Sequence, residues 1–403
     1  MKYFEKKYFF IIFRYLYEKT ITALFLPFLV LFRFLSYYFK FSLCKIDSGE
    51  LGHFYDDFIL MKYDQNLKNK TIFFWLSGKI SNTQVEIMFK REYPCFWWVK
   101  YLYLSNELLP FSEKFKILSP RNITGSRDTQ GIVYQRKNKN LDKIEFLIDE
   151  HETGLKYLKN VGFKDGDKFI CLIIRDPDYK RKLYPDIDWS YHDYRDSTIE
   201  NYQLAARNLA NKGYWIFRMG KFSKKKFECN HPKIIDYATS NARSDFLDIW
   251  LTANCYFFVT NGTGLDSVAD KFEKPLVCVN WLPITHIISW SHANYYFKKL
   301  RFKGVNKTFS LEEYLEHDYL QTQKYHEKNI EYQENSPEEI NQAILEMENK
   351  LTQSFKEDEK TQILQKSFWD KMKKNIKFNK LNSFIHPKAN VSGAFLKNNQ
   401  NWL

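Results

Sequence analysis

The run Thr260-Asn261-Gly262-Thr263-Gly264-Leu265-Asp266-Ser267 follows an apolar stretch and precedes a helical pattern that ends at Lys274-Pro275. Small residues at such a junction open backbone N–H groups at a helix start, which attracts a phosphate or a sugar oxygen. The spacing departs from the dinucleotide pattern G-x-G-x-x-G. Arg218-Met219-Gly220-Lys221 closes another apolar run. Two cations where a strand emerges suit a diphosphate. A third block is Ile174-Arg175-Asp176, followed by His192-Asp193-Tyr194-Arg195-Asp196. Either Arg175 faces a phosphate while Asp176 steadies its fork, or the two form a structural ion pair. Arg175, Arg218, Lys221, Ser244, Asn261, Gly262, Thr263 and Gly264 are thus the candidates for holding a phosphorylated ligand.

Nearer the start, Ser48-Gly49-Glu50-Leu51-Gly52-His53 directly follows the apolar run Phe41–Ile46. Two glycines beside a titratable pair make a place where backbone approaches a substrate and a base points at it. His53 is the leading candidate for general base, since its ordinary pKa lies near 6.5. Glu50 is the alternative, and Asp56, Asp57 and Asp193 stay open. No metal site is expected: the chain has no H-E-x-x-H, no strand-flanked D-x-D and no clustered Cys/His set. No cofactor is expected either.

Placing these blocks requires strands that alternate with helices. Phe41–Ile46, Thr71–Leu76, Phe169–Ile174, Tyr214–Met219, Lys233–Ala238, Cys255–Thr260 and Leu276–Asn280 read as strands. Between them Asn82, Asp196 or Ser197, and Ser244 cap helices, with Gly213 closing the second. Ser336-Pro337-Glu338-Glu339 opens another helix. Strand–helix alternation means βαβ units and parallel sheets, which bind ligands at the carboxyl ends of their strands. All the blocks above stand at such ends.

The 403 residues leave room for two domains. Of the overall charge of +13, residues 1–42 carry +5 and residues 371–403 carry +7, leaving +1 for everything between. A nearly neutral body argues against a nucleic-acid partner. Residues 1–42 also hold 16 of the 73 aromatic residues. Basic residues mixed with Phe, Tyr and Leu fit an anionic membrane surface. Within residues 1–42 the longest uncharged run, Thr20–Phe32, has thirteen residues and contains Pro27. A spanning helix needs about 20, so the segment is expected to lie on the membrane, with a single span as the competing reading. The six cysteines are scattered without a C-x-x-C pair, which suits a reducing compartment.

In order and spacing these blocks resemble a bacterial family of glycosyltransferases from surface-polysaccharide gene clusters, with the two-domain GT-B fold. The resembling residues are Gly52-His53, Ser81-Asn82, Arg175-Asp176 with Tyr179, Tyr194-Arg195-Asp196 and Arg218-Met219-Gly220. Ser244-Asp245-Phe246-Leu247-Asp248, Gly262-x-Gly264, Lys274-Pro275, Val279-Asn280 with Pro283, Glu338-Glu339-Ile340 and Glu346-Met347 continue the match, which runs from about 43 to 350. Two departures stand out: Glu50-Leu51 where a basic residue precedes Gly-His, and Asp196 where the family pattern has Asn.

The resemblance implies an α/β protein with two Rossmann-like domains facing a central cleft, to which composition adds the N-terminal membrane-associating segment. The expected division is 1–42 membrane segment, 43–160 acceptor domain, 161–355 nucleotide-sugar donor domain and 356–403 basic tail. The resemblance implies a nucleotide-sugar donor and a sugar acceptor; the membrane-seeking ends add the membrane surface as a partner and make a lipid-linked oligosaccharide the expected acceptor. The implied place is the cytoplasmic side of the bacterial inner membrane, peripheral or monotopic. A non-catalytic membrane-bound module that recognises nucleotide-sugar or polysaccharide is the competing class.

Overall fold

The computed structural model describes residues 2–63, 70–119, 144–176, 181–182, 184–221, 223, 225–352, 355–382, 384–399 and 401–403. Tyr179 and Lys224 lie outside them. The chain divides into two compact units, Met1–Arg127 and Asp128–Leu403.

The first unit opens with α1 (Lys2–Leu24) and α2 (Leu26–Phe39), bent by 47° where Pro27 enters the second helix. Pro at a helix start is tolerated because its missing N–H would be unpaired there anyway. No single described helix is long and apolar enough to cross a membrane. Helix α2 is not a loose appendage. Its Leu29 and Phe32 are buried against Leu43, Val99 and Leu102. Leu43 lies on β1 (Phe41–Asp47), which pairs in parallel with β2 (Thr71–Ser77) from Phe41↔Thr71 to Asp47↔Ser77. The short β3 (Lys116–Ile117) lies on the other side, giving the order β2-β1-β3. Helices α3 (Leu51–Tyr63), α4 (Thr83–Glu92) and α5 (Val99–Glu107) complete the unit. Asn82 caps α4 as its position predicts, its side chain accepting from the Val85 N–H at 3.0 Å.

The second unit holds a seven-stranded, all-parallel sheet ordered β12-β9-β8-β7-β4-β5-β6. Its strands are β4 (Phe169–Ile173), β5 (Trp215–Met219), β6 (Ile234–Ile235), β7 (Phe258–Thr260), β8 (Leu276–Trp281), β9 (Ala293–Phe297) and β12 (Asn390–Val391). Without the edge strand β12, chain order reads 3-2-1-4-5-6 from β6 to β9, the doubly wound order whose crevice opens where the winding reverses. That switch point lies between β4 and β7. A separate antiparallel ribbon pairs β10 (Lys299–Phe302) with β11 (Ile330–Gln333).

Three expectations about boundaries change. Helix α6 (Ile148–Asn160) goes with the second unit, whereas the sequence places the boundary at 160. Its Gly154 is the reason: a Cβ there would stand 2.1 Å from the Trp250 ring, so only glycine lets the helix close on α8 (Asp245–Asn254). Second, Asp196 and Ser197 do not cap a helix. They follow the 3-10 turn Ser190–Arg195, and α7 (Gln203–Asn211) starts only after a second turn, Ile199–Tyr202. Third, residues 356–403 are no tail. They supply β12 to the sheet and the helices Glu359–Lys374, Ile376–Leu381 and Gly393–Asn398. Glu346, on the helix Pro337–Thr352, receives the Ser392 hydroxyl at 2.6 Å and the Gly393 N–H at 3.1 Å. Trp402 stacks on Phe368 and meets Phe297 and Phe395 edge or tilt, closing an aromatic cluster.

Candidate functional site

In each unit the singled-out loop follows the strand at which the sheet reverses its winding. In the first unit that strand is β1. The Ser48 N–H and hydroxyl both donate to the Ser77 carbonyl, at 3.0 and 2.7 Å, locking the exits of β1 and β2 together. The Gly49 N–H donates to Asp47 Oδ1 at 3.1 Å, a turn closed by its own side chain. This holds Glu50 just before α3 and His53 within its first turn. His53 Nδ1 lies 3.1 Å from Glu50 Oε2, and each side chain is 37% exposed. The two residues that the sequence offers as alternatives are therefore one contact. Asp56 and Asp57 are buried on the inner side of α3. Asp57 helps burial push the Cys44 thiol well above its ordinary value. Both carboxylates are 1% exposed, whereas Glu50 and His53 are open to solvent.

In the second unit the switch point is spanned by one side chain. Asn261, fully buried at the end of β7, accepts the Arg175 N–H on Oδ1 at 2.8 Å and donates from Nδ2 to the Arg195 carbonyl at 2.9 Å. It thereby ties together the exits of β4 and β7 and the Ser190–Arg195 turn. Arg195 reaches back to donate to the Gly262 carbonyl at 2.7 Å. Gly262 has φ +97°, and a Cβ on it would meet Arg195 Nη2 at 3.1 Å. The glycine is required by that turn and by the arginine that closes on it. Arg175 Nε donates to Asp196 Oδ1 at 3.1 Å, so its charge is partly met within the loop cluster.

The rest of the Gly-containing block is occupied from inside. Buried Asp266 accepts from the Thr263 N–H at 2.7 Å, the Thr263 hydroxyl at 2.9 Å and the Thr260 hydroxyl at 2.6 Å. The helix it belongs to, α9 (Leu265–Lys271), is a seven-residue helix. The expectation of open N–H groups at a helix start is corrected for Thr263, whose N–H is capped by the protein's own carboxylate. Gly264 takes ordinary helical backbone, φ −70°.

Arg218 also stands elsewhere than its motif predicts. It is 2% exposed, paired with Asp236 at 3.1 Å, and its Nε has no partner among the described residues. Asp236 is held in turn by the Phe227 N–H at 2.9 Å and the Thr239 hydroxyl at 2.7 Å. Arg218 is a buried pin under the β5 exit rather than a cation at the mouth. Lys221 pairs with Asp245 at 3.0 Å. Ser244 is spent on capping α8, accepting from the Leu247 N–H at 3.1 Å.

Several residues at the crevice escape a reading by motif. Lys298, buried just past β9, donates to the carbonyls of Asp196 at 2.6 Å and Tyr194 at 3.0 Å. Burial lowers its pKa to about 8 although Glu334 and Asp196 favour the charged form. Burial likewise pushes Asp196 up to about 6 against the pull of Arg175. Asn280, with φ +54°, exchanges two backbone-to-side-chain bonds with Asn335, at 2.9 and 2.6 Å. Glu334 accepts from the Thr198 N–H and the Ser197 hydroxyl. A lysine directly after the aromatic run Tyr295-Tyr296-Phe297 is the available signal for Lys298.

No protein-family profile and no curated protein matches the sequence. Solved structures do align with it. A glycosyl transferase of family 9 from Veillonella parvula is 12% identical over 64% of this chain and 85% of its own, with TM-score 0.41. The Escherichia coli ADP-heptose lipopolysaccharide heptosyltransferase II is 13% identical over 76% of this chain and 99% of its own, with TM-score 0.40. MnaA of Staphylococcus aureus, solved with UDP, is 10% identical over 59% and 79%, with TM-score 0.30. At such scores none of them assigns a reaction to this chain, and an α/β layout hosts many chemistries. What the chain itself defines is a doubly wound parallel α/β protein with charged and glycine-bearing loops gathered at a switch point.

Proposed function

We propose that the chain is a metal-independent glycosyltransferase that moves a sugar from a nucleotide-sugar donor to a lipid-linked oligosaccharide in bacterial surface-polysaccharide synthesis. It would work at the cytoplasmic face of the inner membrane. The observation that carries the reading is the crevice between β4 and β7, where Arg175, Arg195 and the Gly262 turn converge at the winding reversal. Such crevices hold nucleotides in doubly wound sheets. The order of motifs shared with surface-polysaccharide glycosyltransferases points the same way.

In this reading Arg175 and the Gly264 backbone face the donor diphosphate, and Lys221 lies at the β5 exit. A leaving diphosphate needs cationic or N–H partners as negative charge builds on it. In the first unit His53 takes the proton of the acceptor hydroxyl. Glu50, against its Nδ1, orients the ring and favours the imidazolium that forms. If the reaction retains anomeric configuration, this base is dispensable.

A screen of nucleotide-sugars for release of free nucleotide, with and without lipid-linked acceptor and with and without EDTA, tests the proposal. Acceptor-dependent release that survives EDTA is the expected result. Donor binding without turnover on any donor and acceptor would instead favour the non-catalytic module.

A further inference from the structure

The exposed rings of the first unit are not confined to its N-terminal helices. On α1 and α2, Phe13, Tyr15, Tyr17, Phe28, Phe34 and Tyr38 are all exposed, while Leu29 and Phe32 face the core. Outside that segment, Trp97 and Phe111 are exposed as well, at 74% and 72%. Both connect to the bent helix pair. Trp97 meets Tyr101 at 6.2 Å, Tyr101 meets Phe25 at 5.4 Å, and Phe25 meets Phe28 at 5.7 Å, an unbroken row of rings. On the other side Arg33 turns inward from α2. It donates to the Pro110 carbonyl at 2.9 Å and to Asn106 Oδ1, and covers the Phe115 ring at 4.7 Å. The Pro110–Phe111 turn is thereby fastened against the helix.

Phe111 sits in left-handed backbone, φ +62°. A bulky residue in that region is costly, and this side chain makes up for it with no burial. Cations stand over several of these rings: Lys114 over Phe111 at 5.1 Å, Lys19 over Tyr15 at 5.4 Å and Lys100 over Tyr101 at 5.6 Å. Aromatic rings with long cationic side chains beside them are the composition of a headgroup boundary, where rings enter and ammonium groups remain with phosphate.

We infer that the first unit docks on anionic lipid through one continuous surface formed by the exposed face of α1–α2, Trp97 and Phe111. This deepens the membrane part of the function proposed above and rests on it. The contact belongs to the folded unit, because two of its rings are presented by loops around α5 rather than by the N-terminal segment. Membrane binding then fixes the orientation of the β1 loop bearing Glu50 and His53 relative to the lipid surface.

The test uses the full chain and sedimentation with vesicles of phosphatidylcholine and phosphatidylglycerol. Wild type should co-sediment. The double variant Trp97→Ser/Phe111→Asn should bind about tenfold more weakly, with an unchanged or raised Tm, since asparagine accepts left-handed backbone better than phenylalanine. Phe28→Ser/Phe34→Ser should weaken binding to a similar degree. Brominated phosphatidylcholine should quench a share of tryptophan emission that disappears in Trp97→Phe. If the Trp97/Phe111 variant binds like wild type while the Phe28/Phe34 variant does not, lipid contact is confined to the helix pair and this inference falls. If wild type ignores every vesicle, the membrane reading itself falls with it.

Discussion

His53 and Glu50 stand 3.1 Å apart at half-exposed positions, so their substitutions should not be equivalent. His53→Ala should lower turnover at saturating donor by roughly a hundredfold, the contribution of a positioned base. Glu50→Gln keeps a group near Nδ1 but removes its charge, and should fall between that variant and wild type. A His53 variant within about threefold of wild type would take it out of the reaction. Arg218 behaves differently because it is buried. Breaking its pair with Asp236 leaves an uncompensated carboxylate, which costs about 3–5 kcal/mol. Arg218→Ala is therefore expected to show as a large loss of thermal stability, not as a selective rise in donor KM. Donor titration of a folded Arg218→Ala sample with unchanged Tm and weakened binding would restore its ligand role.

At the scale of the element, the exits of β4 and β7 depend on Asn261 and Gly262. Asn261→Ala orphans the Arg175 N–H and the Arg195 carbonyl, each a buried or part-buried group whose loss costs about 1–3 kcal/mol. Gly262→Ala adds left-handed strain and a 3.1 Å approach to Arg195. Both should weaken donor binding through displaced loops, and hydrogen exchange should rise at residues 194–196 before it rises in the sheet. The helix pair α1–α2 gives a related contrast. Removing residues 1–39 uncovers Leu43, Val99 and Leu102. Deletion is thus expected to cost solubility of the first unit, so membrane release is better measured with surface substitutions that leave Leu29 and Phe32 in place.

For the molecule as a whole, stability should depend on both ends of the sequence and on pH. Truncation after residue 355 removes β12, the caps on Glu346 and the Trp402 cluster, and should abolish a cooperative thermal transition of the second unit. Titration works through buried groups of known direction. Asp196 and Asp248 are both raised to about 6, chiefly by burial. The folded state therefore holds protons that the unfolded chain releases between about pH 4 and 6. Their contribution is present below that window and is lost as pH rises through it. His292 opposes them: burial lowers it to about 4, so its contribution appears as pH rises from 4 toward 6.5. His292→Gln should make stability fall more steeply between pH 4 and 6, as read by denaturant midpoints at each pH.

Short-range pattern made much of this protein readable. Apolar runs with β-branched and aromatic residues mark β1, β2, β4, β5 and β8 to within a residue or two, because a buried parallel strand must be apolar on both faces. Asn82, Ser244 and Ser336 mark helix starts, because a cap is satisfied within four residues. The loops at strand exits were legible for the same reason. Which way their side chains turn was not. Arg218 and Asp266 look like ligand-facing polar residues until the sheet is assembled, when Asp236 and the Thr260–Thr263 backbone claim them. The role of Gly154, set by a ring 96 positions along the chain, and the place of Trp402 against Phe297 depend equally on partners distant in sequence. Local chemistry determines elements and their ends; the winding of the strands decides which polar groups meet each other and which are left for a ligand.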